Sequence, residues 1–111
     1  MGQTIIDKLW AEHTVADLGD GATLLYIDRI FLHERTGSVA LKGLETASHK
    51  VRHPEQVFCT MDHIVDTTPG RSDETRMPGG REFITSTRAS AIAAGIHLFD
   101  LGGDRQGIVP V

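Results

Sequence analysis

Two short stretches of this 111-residue chain hold side chains suited to acid–base work. One is Asp62-His63. The other is His33-Glu34, with Asp28-Arg29 a few residues before it. A carboxylate beside an imidazole fixes the ring's tautomer and raises its basicity, so such a pair can shuttle a proton or hold a substrate carboxyl. A solvated pair at a strand end is the ordinary alternative. If His33 and Glu34 lie on a helix, adjacent positions point about 100° apart and need not face one ligand. His33, Glu34, Asp62 and His63 also carry the N and O donors that a mononuclear zinc or iron ion accepts. His13, His49, His53 and His97 lack metal-ligand spacing and are expected at the surface or in packing. Cys59 is the one cysteine, and it is expected in the core, where a free thiol behaves as a small hydrophobe. A single cysteine excludes an internal disulfide. It equally excludes, within one chain, a zinc site built from four cysteines or from a cysteine pair and a histidine pair.

The elements that must position these residues follow from patterning. Thr4 and Asp7 have capping-box spacing, and Ile5, Ile6, Leu9 and Trp10 then fall on one helical face, ending near His13. Gly19-Asp20-Gly21 reads as a turn. A single strand is predicted over 22–31, with its first half buried on both faces and Asp28-Arg29 at its end. Thr36 begins a short helix through Val39, Leu41 and Leu44. A second strand over 56–61 runs into Asp62-His63. Residues 67–80 hold Pro, Gly and charges with almost no apolar side chain, and read as a long exposed loop. A third helix over 81–94 presents Phe83, Ile84, Thr87, Ala91 and Ala94 on a narrow face, with Gly95 just past its end. Strands are expected at 96–99 and from Gly107 onward.

This alternation predicts an α/β fold: a partial three-layer α/β/α domain with a mostly parallel sheet and right-handed crossovers, occupying 1–111 as a single domain. The chain stops straight after an apolar run, which suggests the leading piece of a larger domain. In an open parallel sheet, ligands bind outside the carboxyl ends of the strands. The first strand is expected to bring Asp28 and Arg29 to that edge, with His33-Glu34 one turn on, and the second to bring Asp62-His63.

Composition narrows the function classes. Net charge is -4, so nucleic acid is disfavoured as a partner. No apolar run approaches ~18–20 residues, which argues against a membrane span. The N-terminus lacks a basic segment followed by an apolar stretch, and with the lone thiol this points to a cytoplasmic location. There is neither a GxGxxG phosphate fingerprint nor a Gly-x-Ser-x-Gly elbow.

Several blocks stand in order: Thr4-Ile5-Ile6-Asp7-Lys8-Leu9, Leu24-Leu25-Tyr26-Ile27-Asp28-Arg29, Leu32-His33-Glu34, Gly43-Leu44, Thr60-Met61-Asp62-His63 and Gln106-Gly107-Ile108-Val109. Together they resemble the N-terminal part of the large subunits of 3-isopropylmalate dehydratases, in the aconitase family, over nearly the whole chain. The resemblance implies a hydro-lyase that isomerises 2-isopropylmalate to 3-isopropylmalate in leucine biosynthesis, by dehydration and rehydration through an alkene. It implies a [4Fe-4S] cluster held by three cysteines, with one iron open to a small hydroxy-acid substrate. A separate small subunit and the C-terminal part of the large subunit are the implied partners. Asp62 and His63 match the family's catalytic Asp-His pair, near the leaving hydroxyl. Asp28, His33 and Glu34 fall where substrate-binding residues are expected.

Four departures accompany the resemblance, one of them the 67–80 loop, whose sequence is not the family's usual one. The cluster cysteines of the family lie beyond Val111, and Cys59 is not one of them. The family's Asp-Ser-His block is also missing. Pro110 stands where the family has a proton-handling His. Catalysis by this chain alone is therefore not expected, and a non-catalytic binding or interaction module derived from the family is the alternative.

Overall fold

The structure is a computed structural model that describes residues 1–107. The extended piece expected from Gly107 onward, with Pro110, lies almost entirely outside them. The carboxyl-terminal two thirds forms an α/β body. Strand β3 (Ile30–His33) leads through helix α2 (Gly37–Thr46) to β4 (Val57–Thr60), and β4 leads through helix α3 (Gly80–Ala94) to β5 (His97–Phe99). The strands are parallel in the order β3-β4-β5, with Leu32 opposite Cys59 and Cys59 opposite Leu98.

Both crossovers advance in the same direction across the sheet. Right-handed connections then put both helices on the same face, and α2 packs directly on α3. The core lies between that face and the helices: Leu41, Val57, Cys59, Ala91 and Ile96, with Leu32 and Leu98 against them. It is aliphatic, as the scarcity of aromatics requires. Gly37 lets the first turn of α2 sit close to α3, since a Cβ there would lie 3.3 Å from the Thr87 methyl. Thr36 is at the N-cap of α2, but its hydroxyl makes no capping bond. The third helix ends at Gly95, whose φ of +70° suits the left-handed position that glycine takes without steric cost.

Only one of the two helical layers expected of a three-layer domain is present among the described residues. Helices α2 and α3 supply it, and the opposite face of the sheet carries none.

The first 25 residues form a separate unit. Helix α1 (Ile5–His13) has the expected capping box: Asp7 N–H donates to Thr4 Oγ1 at 3.1 Å, and Thr4 N–H donates to Asp7 Oδ2 at 2.8 Å. An apolar helical face normally packs inward, yet α1 buries no residue, and Ile5 and Ile6 are exposed. An antiparallel hairpin follows, from β1 (Thr14–Gly19) to β2 (Ala22–Leu25). Asp20 and Gly21 both have positive φ, which is the two-residue turn that matches strand twist.

The single strand expected over 22–31 is therefore two strands separated by residues 26–29. Its first half is half-exposed in the hairpin rather than buried on both faces. No helix among the described residues is long and apolar enough to cross a membrane.

Candidate functional site

The carboxyl ends of β3 and β4 carry the site. His33 is the last residue of β3, and Glu34 follows it. Thr60 ends β4, and Asp62-His63 follow after one residue. The two strands are parallel and in register, His33 opposite Thr60, so both polar pairs arrive at one edge.

Glu34 organises that edge from within. Its side chain is completely buried. Oε2 accepts the Asp62 N–H at 3.1 Å, while Oε1 accepts the N–H groups of His63 and Ile64. A carboxylate accepts only, so three converging backbone donors are its natural complement. Behind it, the buried Thr87 hydroxyl of α3 donates to the Glu34 carbonyl at 2.9 Å. Gly80, at the start of α3, lies against the same turn. A Cβ there would sit 2.8 Å from the Ile64 Cγ2 and would overlap the Thr75 hydroxyl.

The turn so held presents an Asp-His dyad. The Asp62 carboxylate, 7% exposed, accepts from His63 Nδ1 at 2.6 Å, and the His63 ring is 52% exposed. Since the carboxylate can only accept, Nδ1 carries the proton, and Nε2 is left to take or deliver one outside. The His33 ring stacks on His63, with centroids 3.8 Å apart and planes 14° apart. His33 Nδ1 accepts the Arg35 N–H at 3.3 Å, so the neutral ring carries its proton on Nε2. The stacked rings thus offer one Nε2 donor and one Nε2 acceptor, a pair complementary to a hydroxyl beside a carboxylate.

His33, Glu34 and His63 each bring a donor atom within 4.8 Å of the others, but they do not form a chelate. Imidazole lone pairs lie in the ring plane, and rings stacked with centroids 3.8 Å apart and planes within 14° do not aim two nitrogens at one point about 2 Å from both. Both Glu34 oxygens are also already engaged. The geometry therefore gives no support to a mononuclear metal ion held by these residues.

The long segment after the dyad is tied down by Arg88 of α3. Its guanidinium makes a bidentate pair with Asp73 at 2.7 Å and also bonds Asp100, just past β5. Asp73 and then Asp100 hold Arg88 firmly protonated, and Arg88 in turn holds the Asp73 carboxyl below its usual range. Spacings of 15 and 12 residues gave no sequence signal for this network. Thr87 did leave one, as a hydroxyl in the middle of an apolar helix stripe.

Two expectations need correction. Asp28 and Arg29 precede β3 and lie at its amino end, because the chain breaks strand pairing over residues 26–29. Asp28 pairs instead with His13 Nε2 at 2.9 Å, away from the dyad's edge. Glu34 has no exposed surface for a substrate, and its place at a strand end, not on a helix, is what turns it inward while His33 faces out.

The chain matches the Aconitase family (aconitate hydratase) over residues 7–111. It belongs to the aconitase family. It is 37% identical over 110 residues to the 3-isopropylmalate dehydratase large subunit 1 of Bradyrhizobium diazoefficiens, covering 99% of this chain and 23% of that protein. It is 38% identical over 109 residues to the 3-isopropylmalate dehydratase large subunit of Staphylococcus aureus, covering 98% of this chain and 24% of that protein. The chain thus spans about a quarter of the length of these relatives. No solved structure matches it.

The residues present do not fit the [4Fe-4S] cluster that the aconitase family implies. An iron–sulfur cluster is held by cysteine thiolates, not by thiols. The single cysteine, Cys59, is buried in β4, and burial, with the negative charges of Glu34, Asp62 and Asp100 adding to it, pushes its thiol up to about 12. It is a core residue, as expected.

Proposed function

We propose that this chain supplies the proton-handling wall of a hydro-lyase site of the 3-isopropylmalate dehydratase type, with any cluster held by polypeptide outside it. The dyad carries this reading: a buried Asp62 aims His63 outward from a turn that the Glu34 carboxylate fixes. Dehydration of a hydroxy acid removes a hydroxyl that leaves more readily once protonated. His63, protonated at Nε2 and backed by Asp62, would deliver that proton as the C–O bond breaks and water departs, the adjacent C–H proton passing to a base on polypeptide outside this chain; in the hydration direction the neutral ring would accept a proton from the water whose oxygen adds to carbon. His33 Nε2–H would donate to a substrate oxygen beside it. Asp28 has no part in this wall.

The substrate on this reading is 2-isopropylmalate, the product is 3-isopropylmalate, and the partners are the rest of a large subunit and a small subunit. The test is a chimera in which this chain, carrying Pro110→His, replaces the matched region of the Staphylococcus aureus large subunit, expressed with its small subunit. Hydration of the alkene should proceed, and His63→Ala should lower kcat about 10²–10⁴-fold. A folded His63→Ala chimera that hydrates as fast as its parent would remove the dyad from the chemistry.

A further inference from the structure

One strand over from the dyad, the fold leaves a single guanidinium unspent. His33, Thr60 and Phe99 are level in the parallel register, so the residues after β5 leave the sheet at the same edge as Asp62-His63. Neighbouring strands lie about 4.8 Å apart, which puts the end of β5 about 5 Å from that of β4 and about 10 Å from that of β3. There a cleft of about 430 Å³ opens between residues 71–74, helix α3 and the turn at Leu101-Gly102. Three arginines line it. Arg88 is neutralised by Asp73 and Asp100, and Arg81 by Glu74. Arg71 is partly buried, yet it has no ion-pair or hydrogen-bond partner among the described residues.

The backbone holds Arg71 on both sides. Pro69 followed by Gly70 at a φ of +74° has the sequence and the sign of φ of a type II turn, directly before it. Ser72, just after it, accepts the Glu74 N–H on its hydroxyl at 3.2 Å. Asp73 is then fixed by its bidentate bond to Arg88. A planar guanidinium presented in this way can take a carboxylate through two parallel N–H···O bonds. Ligands of an open parallel sheet bind at this edge. We infer that Arg71 binds one carboxylate of a hydroxy-diacid substrate whose hydroxyl faces His63, and so sets a preference for diacids over monoacids. This assignment rests on the proposed role of the dyad. Arg88 serves it indirectly, as the anchor of Asp73, and does not meet the substrate because its own donors are taken.

The test has a binding arm and a kinetic arm. In the first, 2-isopropylmalate is titrated into the full chain and followed by NMR. The Arg71 Nε–H, the N–H groups of Leu101 and Gly102 and the His63 ring should shift together. Arg71→Gln should weaken binding about ten- to a hundredfold, as expected for a charge-assisted bidentate contact. Arg71→Lys should recover part of the loss, and Arg52→Gln, on the exposed link between α2 and β4, should change nothing. A hydroxy monoacid of the same carbon skeleton should bind the parent and Arg71→Gln alike. In the chimera, Arg71→Gln should raise KM by a similar factor and leave kcat within about twofold, the pattern of a lost binding contact. A purely structural role would lower kcat instead. Equal affinity of the parent and a folded Arg71→Gln for the diacid would remove Arg71 from the site. Shifts at residues 71, 101 and 102 with none at His63 would make the cleft an anion site apart from the dyad and would equally overturn the proposal. If Arg71 behaves as expected while the His63→Ala chimera hydrates at the parental rate, the carboxylate contact stands and the dyad reading alone fails.

Discussion

Among the described residues, two aspartate–histidine pairs meet at short distance, Asp62–His63 at 2.6 Å and Asp28–His13 at 2.9 Å. Their surroundings differ entirely. Asp62 sits on a turn clamped by a buried carboxylate, between two parallel strands, with Thr87 of α3 bracing the clamp. Asp28 sits in the irregular link 26–29, and its partner is the last residue of a helix that buries nothing. His13 uses both ring nitrogens, Nδ1 bonding the Leu9 carbonyl at 2.7 Å and Nε2 bonding Asp28, so no nitrogen is left for a substrate. His63 keeps Nε2 free. A dipeptide or a contact distance does not make a site. A held orientation with one unspent valence does, and among the described residues only the sheet edge provides it.

Removing Glu34 should break this contrast most severely. Glu34→Ala leaves the buried N–H of Ile64 and the part-buried N–H groups of Asp62 and His63 without their acceptor, a loss of about 3–5 kcal/mol of stability. Urea unfolding measures it. Below the midpoint, the ring signals of His63 should broaden while those of His13 stay in place. Equal disturbance of both histidines would mean that the two pairs are not independent.

Gly80→Ala strikes the same turn from the opposite side. The new methyl would meet Ile64 Cγ2 and the Thr75 hydroxyl, and overpacking of this kind costs about 1–3 kcal/mol. Thr87→Val is isosteric and removes only the donor to the Glu34 carbonyl, for about 1–2 kcal/mol. Both losses should appear as lowered urea midpoints with unchanged slope. Both should move His63 resonances more than those of His13, and Thr87→Val less than Gly80→Ala.

The same contrast explains what could be read from the residues. The α/β body was legible because its elements satisfy themselves: α3 has a long apolar stripe closed by Gly95, β4 is a buried apolar run, and the dyad follows a strand end directly. The N-terminal unit was not. Its hairpin is largely exposed, so Thr14–Gly19 shows no clean alternation, and the apolar residues from 22 to 31 merged into one apparent strand. That merger carried Asp28 to the wrong end of β3. The role of Glu34 was illegible for another reason. Backbone N–H groups leave no trace in a sequence, so nothing marked three of them as its partners. The helical face of Ile5, Ile6, Leu9 and Trp10 stays exposed and forms no core among the described residues.

The exposed pair supplies the smallest effect, and its pH dependence separates it from the site. Asp28 accepts from His13 and raises that imidazole above its ordinary value of 6.5, helped by the Leu9 carbonyl. The same bond, from His13, lowers the Asp28 carboxyl below 3.8. A raised histidine contributes stability fully below its unfolded value and loses it as pH rises through the folded one. A lowered aspartate contributes above its unfolded value and loses it as pH falls through the folded one. The pair therefore stabilises most between about pH 4 and 6.5, where both groups are charged. His13→Gln should lower Tm slightly at pH 5.5, by less than any substitution at the clamp. The difference should fade by pH 9 and shrink in high salt, as expected for a pair near water. A Tm difference as large at pH 9 as at pH 5.5 would show that His13 holds the link 26–29 by packing and not by charge.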